Sequence, residues 1–389
     1  MSNQESAGTS SRGSGMKKIK VYVHLAHGQD REEWEARWRS GQLIGINDPS
    51  PYGYARAESE GCEVVFSKRQ SEGPFHKLLR LGTRALMGFD YIHARNNRDA
   101  IARADVVWTH TESQFLAVAA VLKSIGERRP KLIGQSVWLI DKWPKLMPFH
   151  RLLYKSLIGQ YVDILTFHSP ENLAVARRLF PSKRSELVRF GIPSEIKLPI
   201  KERSSSPIRV LAVGNDRHRD WSTAVQALRN VEGITLTIVS DTAPSKLTEG
   251  TQNILVTRVK NNDELKRLYD DSTLLLVPLT PNKHASGITV IEEGAVNGIP
   301  VIASDVGGLR AYFDDGAICY IPHSDPAAVR EAVRNLGSDT ARALQQARNA
   351  QERMAPGGLG ASDYIAQHVA MSNELVFGHQ PDNLDSFKP

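Results

Sequence analysis

Residues 284–292 contain backbone and side-chain groups that could hold an anion next to a sugar. The sequence predicts a helix that opens at Gly287, with Ser286 as its cap. The first turn of such a helix, which includes Ile288, offers unpaired backbone N–H groups and a positive dipole end. Gly287 has no side chain to keep an anion away, and Glu292 lies just beyond the first turn, within reach of ribose or sugar hydroxyls. A phosphate at the helix start with a carboxylate beyond it describes a nucleotide-sugar site.

The segments around this helix predict two buried strands and a turn. Residues 274–278 form an apolar run closed by a proline, residues 299–304 form a second run, and Val306-Gly307-Gly308 predicts a tight turn. Such runs are typical of strands buried on both faces of a sheet. On these residues alone, an ordinary strand–helix–strand unit with surface glutamates explains the pattern as well as a ligand site does.

This stretch resembles the donor-binding motif of GT-B glycosyltransferases, especially the retaining group called glycosyltransferase family 4. That motif has a glutamate, a glycine and a second glutamate at fixed spacing, then a strand of the type Gly-x-Pro-Val and a Gly-Gly turn. The chain keeps Gly287, Glu292, the Pro-Val-Ile-Ala-Ser strand and the Gly-Gly turn. It has His284 where the family has its first glutamate, which contacts the transferred sugar. The resemblance is strong over residues 208–330 and fainter elsewhere.

The resemblance implies an α/β GT-B fold, with two doubly wound Rossmann-like domains facing across a cleft. The strand–helix alternation agrees, and 389 residues exceed the usual size of one hydrophobic core. Further strands are predicted at 17–25, 63–67, 104–110, 131–137, 161–167, 208–213, 234–240, 254–258 and 317–322. The predicted organisation is a disordered tail (1–15), an N-terminal acceptor-binding domain (16–195), a linker (196–207), a nucleotide-sugar-binding domain (208–358), a helix crossing back to the N-terminal domain (359–377) and a tail (378–389).

In the family, basic groups in the loop after the first strand of the C-terminal domain bind the donor diphosphate. Here that loop carries Arg217 and Arg219, while Asn215 replaces the family's first basic residue. The planar guanidinium suits a diphosphate. Val259 follows a later strand, where the family's backbone touches the nucleotide base. The expected donor-binding residues are therefore Arg217, Arg219, Val259, Ser286, Gly287, Ile288 and Glu292.

Histidines and tyrosines supply the remaining candidate site residues. His110 ends an apolar strand, and doubly wound sheets bind ligands at the carboxyl ends of their strands. Because family members place a histidine there against the transferred sugar, the resemblance assigns His110 and His284 to the catalytic centre. We expect His27, in the turn after the first strand, and Tyr52 and Tyr54, at the end of a long loop, to line the acceptor side.

Two segments, 75–89 and 142–155, mix basic residues with aliphatic and aromatic ones. This pattern suits a helix lying in a membrane interface, although helices that pack on the sheet also show it. The formal net charge of +6 fits an anionic ligand or membrane surface and favours no nucleic-acid partner. In a predicted helix over 30–40, Trp34 and Trp38 stand one turn apart and are expected to face the core.

Other features exclude several classes of protein. The turn after the first strand has one glycine, where a nicotinamide- or flavin-binding fingerprint has three. Cys62 and Cys319 show no metal-binding spacing, which indicates a reduced, cytosolic setting. We expect no export, because the Ser- and Gly-rich N-terminal stretch lacks the apolar core of a signal peptide, and no run approaches the length of a membrane-spanning helix. Since no Asp-x-Asp motif is present, we expect no cofactor and no bound metal.

These patterns predict a cytoplasmic glycosyltransferase, peripheral on the inner face of the plasma membrane. It would move a sugar from a nucleotide diphosphate sugar to a hydroxyl acceptor, and the resemblance implies retention. The basic apolar segments favour a lipid-linked saccharide acceptor in bacterial surface polysaccharide assembly. Two alternatives stay open: a GT-B epimerase or phosphorylase, and a degenerate, non-catalytic binding module. The replacements at His284 and Asn215 motivate the second alternative.

Overall fold

The computed structural model describes residues 18–378, and the statements below concern that part of the chain. The predicted tail over 1–15, and residues 379–389 of the tail predicted over 378–389, lie outside it. The strands are β1 (Lys20–His24), β2 (Glu63–Phe66), β3 (Val106–Thr109), β4 (Lys131–Ser136), β5 (Ile164–Phe167), β6 (Arg184–Leu187), β7 (Ile208–Val213), β8 (Ile234–Val239), β9 (Ile254–Thr257), β10 (Leu274–Val277), β11 (Val301–Ser304) and β12 (Cys319–Ile321). The helices are α1 (Arg31–Arg39), α2 (Pro74–Met87), α3 (Tyr91–Asn96), α4 (Arg98–Arg103), α5 (Glu112–Leu122), α6 (Leu139–Lys142), α7 (Pro148–Tyr161), α8 (Pro170–Leu179), α9 (Trp221–Leu228), α10 (Asn262–Asp271), α11 (Ile288–Val296), α12 (Pro326–Ser338), α13 (Thr340–Arg353) and α14 (Ala361–Phe377).

The first sheet has the strand order β2-β1-β3-β4-β5-β6, and its paired strands are parallel. Successive side chains alternate between its two faces. Val107 belongs to the core formed with α5 and α7, whereas Val106 and Trp108 belong to the core formed with α14. The order reverses between β1 and β3, so the loops that follow these two strands, with His27 and His110, open at one edge of the sheet.

The second sheet has the order β12-β11-β10-β7-β8-β9 and is also parallel. Here the order reverses between β7 and β10, and doubly wound sheets bind ligands at this kind of switch point. Two backbone hydrogen bonds join the loops that follow these strands, from Asp220 N to Pro278 O at 2.9 Å and from Thr280 N to His218 O at 2.8 Å. The fold therefore sets the Arg219 loop directly beside the loop that leads into α11.

The last helix, α14, packs on the first sheet although it follows the second sheet in sequence. Tyr364 and Ile365 are buried in the same core as Trp108. The indole N–H of Trp108 donates to Ser372 Oγ at 2.9 Å. The chain thus returns from the second half of the molecule to the first.

Helix α2 carries apolar side chains on its outer side. The exposed fractions are 73% for Phe75, 69% for Leu78 and 71% for Leu86, whereas Arg80 is only 6% exposed. The Arg80 guanidinium donates two hydrogen bonds to the Glu72 carboxylate, at 2.9 and 2.7 Å. The helix therefore buries a cation and exposes its apolar residues, the reverse of the usual arrangement on a surface in water.

The start of α7 extends this apolar side. Tyr154 Oη donates to Met87 O at 2.9 Å and so joins α7 to the end of α2. The exposed apolar side chains of both helices and of Met147, the residue before α7, are together called the apolar face: Phe75, Leu78, Leu79, Leu81, Leu86, Met147, Phe149 and Leu152. Within the described residues, no helix combines the length and the hydrophobicity that crossing a bilayer requires.

The tryptophans of α1 depart in part from the prediction. Trp34 is buried, but Trp38 is 41% exposed, so the expectation that both face the core is wrong for Trp38. Both indole N–H groups donate to the following loop, Trp34 to Asp48 O at 2.9 Å and Trp38 to Asn47 O at 2.8 Å. The one-turn spacing of the two rings therefore serves to hold that loop.

Candidate functional site

Arg219 is a buried cation at the switch point of the second sheet. Its guanidinium lies between two glycines: a Cβ at Gly214 would come within 2.1 Å of Nε, and one at Gly287 within 2.6 Å of Nη1. Neither Nε nor Nη1 has a hydrogen-bond partner among residues 18–378. Burial lowers the pKa of Arg219 to about 10, so the side chain is still charged at neutral pH. A buried arginine with open donors is suited to an anionic group, since charge-assisted hydrogen bonds are the stronger kind.

The start of α11 lies against this arginine. Gly287 caps the helix with a left-handed φ of +83°, so the cap falls one residue later than the predicted Ser286. The hydroxyl of Ser286 is buried and has no partner within the described residues. Ile288 is buried, and its N–H donates to Ala285 O at 3.2 Å. The helix N-terminus and the guanidinium therefore converge at Gly287.

Two consecutive glutamates on α11 have different surroundings. Glu292 is completely buried, and neither carboxylate oxygen has a partner in the described part of the chain. Burial raises the pKa of Glu292 well above its usual value. Glu293 instead accepts from Tyr269 Oη at 2.7 Å and from Ile46 N at 3.0 Å. Sequence reasoning missed Glu293, which joins the loop after α1 to the second half.

His284, which stands at the family's first glutamate position, contacts both halves of the molecule. Its Nδ1 lies 2.7 Å from Asp141 Oδ2, and its Nε2 lies 3.5 Å from Asp216 Oδ2. Burial alone would lower the pKa of His284, but these two carboxylates outweigh it and raise the pKa. His218 Nδ1 lies 3.1 Å from the other oxygen of Asp216. The motif gives no signal for Asp141, which is far away in sequence, and in the loop of Asp216 and His218 only the arginines correspond to the family's basic positions.

His110, Tyr52 and Tyr54 are brought together at the switch point of the first sheet. The rings of Tyr52 and His110 stack with their centroids 3.5 Å apart and an interplanar angle of 15°. Tyr54 Oη lies 3.2 Å from His110 Nδ1 and 2.9 Å from Tyr364 Oη. Burial lowers the pKa of His110 well below its usual value, so the ring is neutral at pH 7. Tyr54 is fully buried, so it positions His110 and does not itself line an open surface.

The other predicted site residues make fewer polar contacts. His27 Nε2 lies 3.8 Å from Glu72 Oε1, and the His27 ring contacts His93 edge-on. Arg217 is exposed and makes no hydrogen bond or ion pair with any described residue. Val259 is half-buried and packs against the core of the second sheet. The structure therefore groups Arg219, Gly287 and the start of α11, and separately His110 with the two tyrosines.

Comparisons with known proteins agree with this architecture. Residues 208–339 match the family model described as glycosyl transferases group 1. The chain is 24% identical over 291 residues to the D-rhamnosyltransferase WbpZ of Pseudomonas aeruginosa, and the match covers 69% of this chain and 74% of that protein. It is similar to Anabaena HepE in complex with UDP-glucose, with a TM-score of 0.64, 12% identity and coverage of 91% and 99% of the two chains. It is also similar to sucrose-phosphate synthase from Thermosynechococcus elongatus, with a TM-score of 0.67, 15% identity and coverage of 92% and 100%.

The structural likenesses confirm the predicted GT-B fold with two Rossmann-like halves, each built on a parallel six-stranded sheet. The family match spans the segment that carries Arg219, His284, Gly287 and Glu292. It does not single out family 4 within this group. The chain therefore has the GT-B fold, and its residues 208–339 match the glycosyl transferases group 1 model, which supports a transferase enzyme.

Proposed function

We propose that the chain transfers a sugar from a nucleotide diphosphate sugar to a hydroxyl acceptor. The observation that carries this proposal is the buried guanidinium of Arg219, which has unpartnered donors between Gly214 and Gly287. A diphosphate bound there would accept hydrogen bonds from Arg219 and from the first turn of α11. The same groups would stabilise the negative charge that develops on the leaving diphosphate. The exposed Arg217 belongs to the same loop and would contact the outer phosphate oxygens.

The nucleoside would lie beyond the diphosphate, along α11. The buried carboxyl of Glu292 has two unpartnered oxygens, which suits the paired hydroxyls of a ribose. The backbone at Val259 would contact the base, as the family resemblance implies. HepE was solved in complex with UDP-glucose, which makes UDP the first nucleotide to test. The name of WbpZ places rhamnose among the sugars to test.

The reacting centre would lie between His110 and His284. His110 is neutral, and an Oη–H of Tyr54 directed at Nδ1 leaves Nε2 as a hydrogen-bond donor toward the sugar or its phosphate. His284 replaces the acidic residue that contacts the sugar in the family, which bears on which sugar is accepted. We propose retention of the anomeric configuration, with no separate general base, on the strength of the family resemblance. His27 and Tyr52 belong to the acceptor side of this proposal.

The apolar face supports a lipid-linked acceptor at an anionic membrane. Its leucines and phenylalanines are mostly more than half exposed, and Lys77 and Arg84 of the same helix are exposed beside them. Apolar residues inserted at the headgroup boundary with basic residues beside them bind anionic lipid surfaces. We propose peripheral contact of α2 and the start of α7 with the cytoplasmic membrane face, and a role in surface polysaccharide assembly.

The test is calorimetric titration of the full chain with UDP, GDP and ADP. We expect one preferred nucleotide, bound at least ten-fold more weakly by Arg219→Ala and by Glu292→Ala. Arg334→Ala, an exposed arginine on α12, should bind like the wild type. Absence of binding by all three nucleotides would overturn the donor-site proposal. With the preferred nucleotide known, product analysis without acceptor separates transfer from epimerisation or phosphorolysis.

A further inference from the structure

Asp216, His218 and His284 bring three metal-binding side chains together beside the donor site. One ligand atom from each lies within 4.8 Å of the other two. Asp216 and His218 come from the loop after β7, and His284 comes from the loop before α11. His284 is 5% exposed, so the cluster is largely closed to solvent on that side.

The hydrogen bond to Asp141 leaves His284 Nε2 without a partner. The 2.7 Å contact with a carboxylate requires Nδ1 to carry a proton and donate it. Nε2 then faces Asp216 Oδ2 at 3.5 Å, too far for a good hydrogen bond, and it has no partner within residues 18–378. A ring nitrogen facing a carboxylate needs a cation between them, either a proton or a metal ion.

The spacing of the ligand atoms fits a metal ion. A tetrahedral zinc site with bonds of about 2.0–2.1 Å places neighbouring ligand atoms about 3.3–3.4 Å apart. The two measured separations are close to this value but involve different oxygens of Asp216: Oδ1 lies 3.1 Å from His218 Nδ1, and Oδ2 lies 3.5 Å from His284 Nε2. One ligand atom from each of the three residues lies within 4.8 Å of the other two. Metal-binding histidines commonly donate their other N–H to a carboxylate, which is the role that Asp141 has here.

We propose that Asp216, His218 and His284 bind a divalent transition-metal ion, with Asp141 holding His284 in the required orientation. Two imidazoles and one carboxylate suit Zn²⁺ or Co²⁺, whereas Mg²⁺ favours oxygen ligands and water. This proposal departs from the metal-free expectation, which rested on the missing Asp-x-Asp motif. It goes beyond the proposed function, because metal binding is measurable without a donor or an acceptor.

The site would share a loop with the diphosphate-binding arginine. The backbone N–H of Arg219 donates to Asp216 O at 3.0 Å, and the Asp216 carboxylate also acts on the pKa of Arg219. Three protein ligands leave one position of a tetrahedral ion open to water or to a donor oxygen. The ion would thus add positive charge beside Arg219, where the leaving diphosphate becomes more negative.

The test titrates the metal-stripped full chain with Co²⁺ and follows the visible absorption of a tetrahedral complex. We expect one equivalent to bind, and Zn²⁺ to displace it. Asp216→Ala, His218→Ala and His284→Ala should each weaken binding at least ten-fold, and Asp141→Asn about 10–100-fold, the usual effect of losing an outer partner. His323→Ala removes an exposed histidine from the same half and should change nothing.

Two results would overturn the proposal. In the first, the wild type binds no Co²⁺ or Zn²⁺ at micromolar concentrations; this measurement requires no variant to fold. In the second, the metal binds equally well to the three ligand variants and to the His323→Ala control. Either result would mean that the cation between His284 and Asp216 is a proton. If the wild type binds the metal ion but none of UDP, GDP and ADP, that result would count against the proposed function alone.

Discussion

At the scale of single residues, the hydroxyl of Tyr54 controls how His110 is held. It contacts His110 Nδ1 and Tyr364 Oη within a buried cluster. Tyr54→Phe removes only this hydroxyl, so we expect kcat to fall about 3–10-fold, corresponding to one hydrogen bond of about 0.7–1.4 kcal/mol. The affinity for the nucleotide should not change, because the cluster lies in the first half of the molecule. Initial rates and calorimetry on the same preparation measure both quantities.

Tyr22→Phe is the matched control for this substitution. The hydroxyl of Tyr22 is equally buried but has no hydrogen-bond partner among the described residues. Its removal should leave kcat unchanged and leave stability unchanged or slightly higher, because an unsatisfied buried group is lost. An equal fall of kcat in both variants would show that packing, and not the contact with His110, explains the effect.

Residue types and spacing could predict site residues only where the groups that matter lie close together in the sequence. Gly287 and Arg219 could be singled out because a helix start and a basic loop are visible in a short stretch of sequence. Asp141 could not, because its contact with His284 spans 143 positions and depends on how the two halves face each other. The burial of Tyr54 likewise follows from α14, which reaches the first sheet only through the tertiary fold.

At the scale of elements, α2 and the start of α7 should bind the full chain to anionic vesicles. Each exposed leucine inserted into a bilayer loses contact with water, which contributes up to about 2 kcal/mol. Leu78→Ser combined with Leu86→Ser should therefore lower the vesicle-bound fraction several-fold in flotation at low salt. Because salt screens the attraction of Lys77 and Arg84 to anionic lipids, binding should also fall as the ionic strength rises.

The control for the vesicle experiment replaces exposed apolar residues elsewhere. Ile196 and Leu255 are 82% and 57% exposed and lie outside the apolar face. The double variant Ile196→Ser and Leu255→Ser should float like the wild type. If both double variants lose binding equally, or if the wild type does not float at low salt, the proposed membrane contact through the apolar face is wrong.

Most strands could be predicted because burial on both faces leaves continuous apolar runs. The exception is β6, whose sequence Arg-Ser-Glu-Leu shows no such run. It is an edge strand that pairs only with β5, so one side meets solvent and polar side chains are tolerated. Its Arg184 also pairs with Glu374 of α14, a contact that local pattern cannot reveal.

At the scale of the whole molecule, polar contacts link the two halves. His284 of the second half reaches Asp141 of the first, and Ile46 of the first half reaches Glu293 of the second. Tyr312 Oη donates to His168 O at 2.8 Å in the same way. Because these contacts involve residues beside the candidate site, donor binding and the relative placement of the halves should be coupled. The predicted domain boundaries and the role of each site residue stay predictions.

Buried histidines make the stability of the whole molecule sensitive to acid. Burial lowers the pKa of His93, His168 and His368 to about 4, from 6.5 in the unfolded chain. Between pH 6.5 and 4 the unfolded chain therefore binds protons that the folded chain does not, so the free energy of unfolding falls as the pH falls. Each such histidine contributes about 1.4 kcal/mol per pH unit in this range. His24 and His110, whose pKa values burial also lowers, act in the same direction.

Four groups with a raised pKa, namely Asp30, Glu292, Glu293 and His284, oppose this trend but do not cancel it. Burial raises the pKa of Glu292 and of Glu293, so the folded chain holds protons there that the unfolded chain has lost above about pH 4.5. The raised pKa of Asp30 acts mainly near the low end of this range and that of His284 mainly near the high end. With five histidines against these groups and the two glutamates, we expect the urea midpoint to fall from pH 6.5 to 5. His368→Gln should lower the number of protons taken up on unfolding by about one, because the buried ring is no longer there to titrate. The midpoint should then fall less steeply as the pH falls. A midpoint that stays constant over this range, or a slope that His368→Gln leaves unchanged, would show that these histidines are not held neutral in the folded protein.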